Sequence, residues 1–222
     1  MASSGYTRPQ LIKRSVLMTL GIAVMGFGIA MSKLALLGTT PISTIPAVMS
    51  FATDLTIGTW TIIVNLIIIG LEAIILGREK TDATLLLQLA VAVILGVFTD
   101  IGVELLKNVV DSGDYLIQWI WCILSCIILS LGIAIEISAN VLVAPGDGIV
   151  MAIDYRMESL SFAHVKVIFD CTNVAIAAVL SLVLTGGLNG VREGTIFAAV
   201  VLGMMVGAWK KLIGPSIERL AQ

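Results

Sequence analysis

The sequence predicts an all-α, polytopic membrane fold, and three observations predict it. Hydrophobic residues fill 58% of the 222 positions, charged residues only 13%, and the mean hydropathy is +1.06, more apolar surface than a soluble domain of this length buries. Apolar runs of about 20 residues recur, the length at which a helix rising 1.5 Å per residue crosses a hydrocarbon core roughly 30 Å thick. No alternating strand pattern exists from which a barrel would close, and a helix satisfies its own backbone in lipid.

Residues 1–14 carry Arg8, Lys13 and Arg14 and are expected to form a cytoplasmic N-terminal segment. They resemble the charged start of a signal peptide, but the apolar run that follows is too long and has no clear cleavage site, so 15–37 is expected to be a retained first span. Further spans are expected at 57–77, 84–104, 116–141, 162–184 and 195–213, with a cytoplasmic tail at 214–222. Between the long spans lie two shorter apolar segments, 41–54 and 145–157, each opening on a proline, which a helix tolerates in its first turn. The first would cover only about 21 Å as a helix, so two re-entrant half-helices are expected.

The chain also reads as a duplication of 15–112 in 113–213. Gly28-Ile29-Ala30 returns as Gly132-Ile133-Ala134, and Pro145 follows Pro41 at that same offset. Leu55-Thr56-Ile57 matches Leu160-Ser161-Phe162, each with a hydroxyl able to cap the next helix, and the run from Gln88 to Gly96 matches the run from Thr195 to Gly203. Three crossings plus a half-helix per half make a 3+3 inverted repeat, whereas crossing half-helices would make the halves parallel. With cytoplasmic termini, the inverted arrangement leaves only Lys33, Lys107 and Arg192 on the far side. The parallel one exchanges Lys107 with Arg78 and Lys80, so charge favours inversion slightly and segment length decides.

A broken helix followed by Pro145-Gly146-Asp147-Gly148, a span opened by Ser161, then Gly186-Gly187 and Arg192-Glu193-Gly194-Thr195 opening the last span, resembles the YczE/YyaS/YitT-type bacterial integral membrane proteins. The likeness runs from about Leu20 to Pro215. In the first half this chain has Thr40-Pro41-Ile42-Ser43 where the family pattern carries an acid. The resemblance implies a multi-pass protein of the bacterial inner membrane and brings no catalytic residues with it.

A half-helix beginning inside the bilayer presents free amides and a positive dipole end, which attract polar and anionic groups. Thr39, Thr40, Ser43 and Thr44 add hydroxyls at the first break, and Gly146 and Gly148 permit close backbone approach at the second. Asp147 either handles a cation or proton at membrane depth or caps the half-helix. Asp170 either pairs with Lys166, four residues earlier, or shares an interior polar position with its counterpart Asn65. Glu136 and Asn140 fall on one face before the second break, while their counterparts Ser32 and Leu36 do not keep the polarity, which fits a substrate site better than a scaffold rule. Asp100, Glu104 and Glu72 lie towards span ends and are expected to be wet. His164, alone of its type, and Trp60, Trp119, Trp121 and Trp209 fit interfacial positions. Gly203 and Gly207 have a spacing that would permit close helix contact.

Several classes drop out. No basic stripe points to a nucleic acid. Cys122, Cys126 and Cys171 lie in apolar runs without a histidine or carboxylate at ligand spacing, so they are expected to be buried and neither a metal nor another cofactor is expected. No nucleophile elbow, phosphate loop or zinc signature argues for an enzyme. The expectation is a secondary transporter of a polar or charged small metabolite, coupled to a proton or sodium ion, with lipid as its surroundings and a homo-oligomer compatible with the sequence. The alternative is a non-transporting scaffold for a biosynthetic or signalling partner.

Overall fold

The computed structural model describes residues 6–77, 83–110, 113–142, 144–157 and 162–220. Among them every regular element is helical: α1 (Arg8–Leu34), a 3-10 turn (Pro41–Ser43), α2 (Thr44–Ala52), α3 (Ile57–Leu76), α4 (Ala83–Leu106), α5 (Tyr115–Ala139), α6 (Pro145–Arg156), α7 (Phe162–Thr185) and α8 (Glu193–Leu220). Six are long and apolar enough to cross a membrane, so the chain is a multi-pass membrane protein. α2 has nine residues and α6 has 12, roughly 14 Å and 18 Å of helix, well short of a crossing.

The ends depart from expectation for local reasons. α1 begins at Arg8, not residue 15, because Pro9 suits a first turn and the Thr7 amide donates to Gln10 Oε1 at 3.0 Å. Arg14 is therefore helical and buried, donating from Nη1 to the Ala139 carbonyl at the end of α5, 3.0 Å away, where helix carbonyls lack partners. α8 continues through Pro215 to Leu220. Thr56 caps α3 as expected, accepting from the Thr59 amide. Asp100 is no wet rim residue: it is half-buried and accepts from Thr56 Oγ1 at 2.6 Å and the Gly58 amide at 2.8 Å. Glu104 is exposed and paired with Lys107. Ser161, Val143, Arg78 and Lys80 lie outside the described residues.

Close approaches fix the helix directions. A methyl on Gly28 would stand 2.7 Å from Leu129 Cβ and one on Gly132 2.6 Å from the Met25 nitrogen. With the Arg14–Ala139 contact these make α1 and α5 antiparallel. Gly26 meets Thr99 and Gly102 meets Ala30, so α1 and α4 are parallel, while Gly194 meets Cys122 and Gly214 approaches Ser138, so α5 and α8 are parallel. α3 and α4 are antiparallel, touching at Gly58 against Gly96 and at Glu72 against Gln88. α1 and α3 consequently run in opposite directions.

Packing sorts the helices into two groups. α1 and α5 cross at the centre of one, flanked by α4 and α8, and α2, α3, α6 and α7 form the other, joined to the first chiefly where α3 meets α4. Met18, Ile22, Val91 and Ala139 make a core in the first group and Val64, Ile68, Ile149, Val150 and Val165 one in the other, while Ile29, Ala47, Ile57 and Leu129 pack across the two. A methyl on Gly203 or Gly207 would meet nothing within 4 Å, so the close contact their spacing permits is not made among the described residues. Cys122 and Cys126 are buried, but Cys171 is exposed on α7, correcting the expectation that all three are internal.

Candidate functional site

The two breaks meet. Ile42, in the turn before α2, reaches Gly146 at the start of α6 so closely that a side chain there would overlap it. Behind this contact lies a cavity of about 80 Å³ between the two helix groups. Its polar lining is Thr40 and Ser43 from the first break, Thr61 and Asn65 from α3, and Glu136 from α5, with Gly146 from the second break. Leu129, Ile133, Val91 and Leu95 complete a mostly apolar wall.

Most of these polar groups are satisfied locally. Thr40 Oγ1 donates to Ser43 Oγ at 3.2 Å, Thr61 Oγ1 to the Ile57 carbonyl at 2.8 Å, and Asn65 Nδ2 to the Thr61 carbonyl at 2.8 Å. Glu136 stands apart, since it is 4% exposed and its main electrostatic neighbour is another carboxylate, Asp147. A carboxylate buried beside apolar walls is costly unless paired, hydrated or neutralised.

The other expected residues lie elsewhere. Thr44 is buried and ties α2 to α7, donating to the Pro41 carbonyl at 2.7 Å and reaching the Asn173 carbonyl at 3.5 Å. Asn140 does not share the face of Glu136, because α5 ends at Ala139; Asn140 takes a left-handed cap (φ 51) and donates to the Tyr6 hydroxyl at 3.1 Å. Thr39 lines a separate cavity near the end of α1. Asp147 is not the helix cap, a position held by Ala144. It pairs with Lys166 at 3.1 Å, and Lys166 also reaches Asp170 at 3.4 Å, so the sequence-expected intrahelical pair becomes a triad joining α6 to α7.

Each member of that triad keeps about a third of its side chain exposed, at 36%, 31% and 27%. Lys166→Met leaves two carboxylates without their cation and is expected to cost about 1–2 kcal/mol, less than the roughly 3–5 kcal/mol of a fully buried pair. A lower thermal midpoint in detergent, partly recovered in Asp147→Asn/Lys166→Met, is the expected result.

Glu72 also corrects the sequence reading. It is buried (6% exposed), one carboxylate oxygen has no partner, and the other accepts from Gln88 Nε2 at 3.4 Å. Gly148 packs directly on this pair, where a methyl would stand 2.6 Å from Glu72 Oε2. Depth was the missed signal: Glu72 and Gln88 lie equally far from the α3–α4 connection, each within an apolar run, so an antiparallel pair brings them level. The Lys166 bridge to Asp147 and the Asn173 carbonyl that Thr44 reaches have partners on another helix, and Thr61, bonded within α3, enters the site only through its place in the cavity wall, so none of the three is marked by local sequence.

A multi-pass membrane protein with a cavity between two helix groups, to which both short helices' starts contribute, is the class this architecture defines. Over residues 12–211 the chain matches a family of unknown function (DUF6198) and belongs to it. It is similar to the "Uncharacterized protein YyaS" of Bacillus subtilis (strain 168), 25% identical over 195 residues that cover 87% of this chain and 90% of the relative. The YyaS-type resemblance read from the sequence holds. No solved structure matches.

Proposed function

We propose that the chain is a small secondary transporter of the bacterial inner membrane, built as two inverted repeats, α1–α4 and α5–α8, with α2 and α6 as re-entrant half-helices. The antiparallel crossing of α1 and α5 supports inversion, since parallel repeats would align them. So does the exchange of contacts between halves: α1 on α4 answers α5 on α8, α2 on α7 answers α6 on α3, and α2 on α3 answers α6 on α7. Lys33, Lys107 and Arg192 fall at one end of the bundle and Arg8, Lys13, Arg14, Lys210, Lys211 and Arg219 at the other, which favours cytoplasmic termini.

The observation carrying the functional reading is Glu136, a buried carboxylate in a cavity to which both breaks contribute. On this reading the cavity of about 80 Å³, with room for only two or three waters at ~30 Å³ each, belongs to a closed conformation. Admission of a polar or charged small metabolite then requires the two helix groups to part, with the α3–α4 seam as their lasting join. Glu136, Asp147 and Asp170 are the groups that would carry a coupling proton or bind sodium.

Uptake of a metabolite panel into proteoliposomes tests the reading. At least one polar solute is expected to accumulate, and Ser43→Cys in a Cys171→Ser background is expected to react with a water-soluble thiol reagent and to be protected by that solute. The small, largely apolar cavity also suits a dry, non-transporting scaffold. That alternative wins if Ser43→Cys stays unreactive under every gradient and no solute accumulates.

A further inference from the structure

A second cavity, of about 180 Å³, lies at the end of α1 among Lys33, Thr39, Phe51, Asn189, Gly190 and Arg192. Two of the three basic residues at this end of the bundle therefore flank a single space. A cation in the last turn of α1 has a generic explanation, the negative end of the helix dipole, but that explanation asks for Lys33 alone.

Arg192 uses only part of its donor set. Nη1 donates to the Leu36 carbonyl at 2.9 Å and Nη2 to Glu193 Oε1 at 2.9 Å, while a guanidinium carries five N–H donors. Lys33 lies 5.3 Å from the Phe51 ring centroid, and the carboxylate whose field reaches it, Asp100, is committed to Thr56 and Gly58. Thr39 supplies the independent observation: it is 1% exposed, its hydroxyl has no partner, and it lines this cavity. Its backbone N–H is already given to the Gly190 carbonyl at 3.2 Å. A buried hydroxyl without a partner is costly, and the residue that carries it lines the same cavity as the two cations.

We infer that this cavity is a binding site for a small oxyanion, a carboxylate or phosphate group, held between Lys33 and Arg192 with the Thr39 hydroxyl donating to it. At roughly six water volumes the space admits inorganic phosphate or a short carboxylate. Its edge bears exposed Leu36 (44%), Phe51 (40%) and Leu188 (51%), so the same oxyanion chemistry can arrive free in solution or on an anionic lipid headgroup. The site does not depend on transport, since binding is read directly.

The test uses the full chain in zwitterionic-lipid nanodiscs. Sodium phosphate and sodium acetate are titrated at constant ionic strength against sodium chloride, with thermal midpoint as the readout, and phosphatidylglycerol retention is followed by native mass spectrometry. A saturable rise with phosphate or acetate is expected, weakened roughly tenfold or more in Lys33→Gln and Thr39→Val. Thr39→Val removes an unpartnered hydroxyl and is expected to fold at least as well as the parent, which separates loss of binding from loss of fold. Retention of phosphatidylglycerol without a phosphate or acetate response, again lost in Lys33→Gln, assigns the site to a headgroup. No saturable response to any of the three probes, or responses unchanged in both variants, overturns the site.

Discussion

Gly132→Val is expected to prevent assembly of the folded chain. A methyl at Gly132 would already stand 2.6 Å from the Met25 nitrogen and 2.7 Å from the Gly21 carbonyl oxygen, and one at Gly21 would stand 2.8 Å from the Glu136 nitrogen. These are backbone atoms of a facing helix, so no rotamer change relieves the overlap. Overpacking of a core typically costs 1–3 kcal/mol, and a whole helix must shift here, so a loss of about 3 kcal/mol or more is expected. The consequence extends beyond stability, because the α1–α5 crossing is the axis about which α4 and α8 are arranged and on which Glu136 is held. Size-exclusion of detergent-solubilised protein is expected to show aggregate in place of a monodisperse peak. Gly203→Val is the control: that glycine meets nothing within 4 Å, and its replacement is expected to stay within about 0.5 kcal/mol of the parent. Equal thermal midpoints for Gly132→Val and Gly203→Val would show that the crossing is looser than these distances state.

What the sequence revealed of this fold follows from which forces are local. Hydropathy marks the six long helices because each must individually match the bilayer, and Pro41 and Pro145 mark the interruptions because proline constrains its own φ. The Gly-Ile-Ala tripeptides that begin at Gly28 and Gly132 both lie at the α1–α5 crossing, with Gly28 on Leu129 and Gly132 on Met25. The failures are equally physical. Arg14 reads as part of a charged cytoplasmic segment ahead of the first span, yet its partner is the Ala139 carbonyl, 125 residues along the chain. Asn140 was paired with Glu136 by helical spacing, but spacing holds only while the helix lasts, and α5 stops one residue short. Glu72 reads as wet from its distance to a span end, whereas its burial comes from α6 packing Gly148 over it. Of the cavity lining, Thr40, Ser43, Asn65, Glu136 and Gly146 can be read from the breaks and the acids; the Lys166–Asp170 pair can be read from its spacing, whereas the bridge to Asp147 and the Gln88 contact cannot.

Glu136→Leu is expected to separate stability from function. Its carboxylate is buried at 4% exposure with Leu129, Ile133, Val91 and Leu95 lining the same cavity, so leucine finds apolar contact on several sides and removes a group that is expensive to desolvate. Replacing a buried ion pair by well-fitting hydrophobes is often neutral or stabilising by about 1–4 kcal/mol, and a lone buried carboxylate is costly to desolvate in the same way, so a gain of about 1–2 kcal/mol, seen as a higher thermal midpoint, is expected. On the transport reading proposed above, uptake by the same variant is expected to fall at least roughly tenfold, since a hydrogen bond to a charged group contributes about 1.5–3 kcal/mol and 1.4 kcal/mol is a tenfold change in binding. Glu136→Gln keeps hydrogen-bonding capacity without the charge. It is expected to lie between parent and Glu136→Leu if the carboxylate only contacts the solute, and to match Glu136→Leu if its charge or proton is required for coupling. A residue kept for packing would behave in the opposite way, losing stability when truncated and leaving any transport intact. Undiminished uptake by Glu136→Leu, with its folding confirmed by the thermal midpoint, would remove the cavity from the transport pathway, because no other buried carboxylate lines it among the described residues.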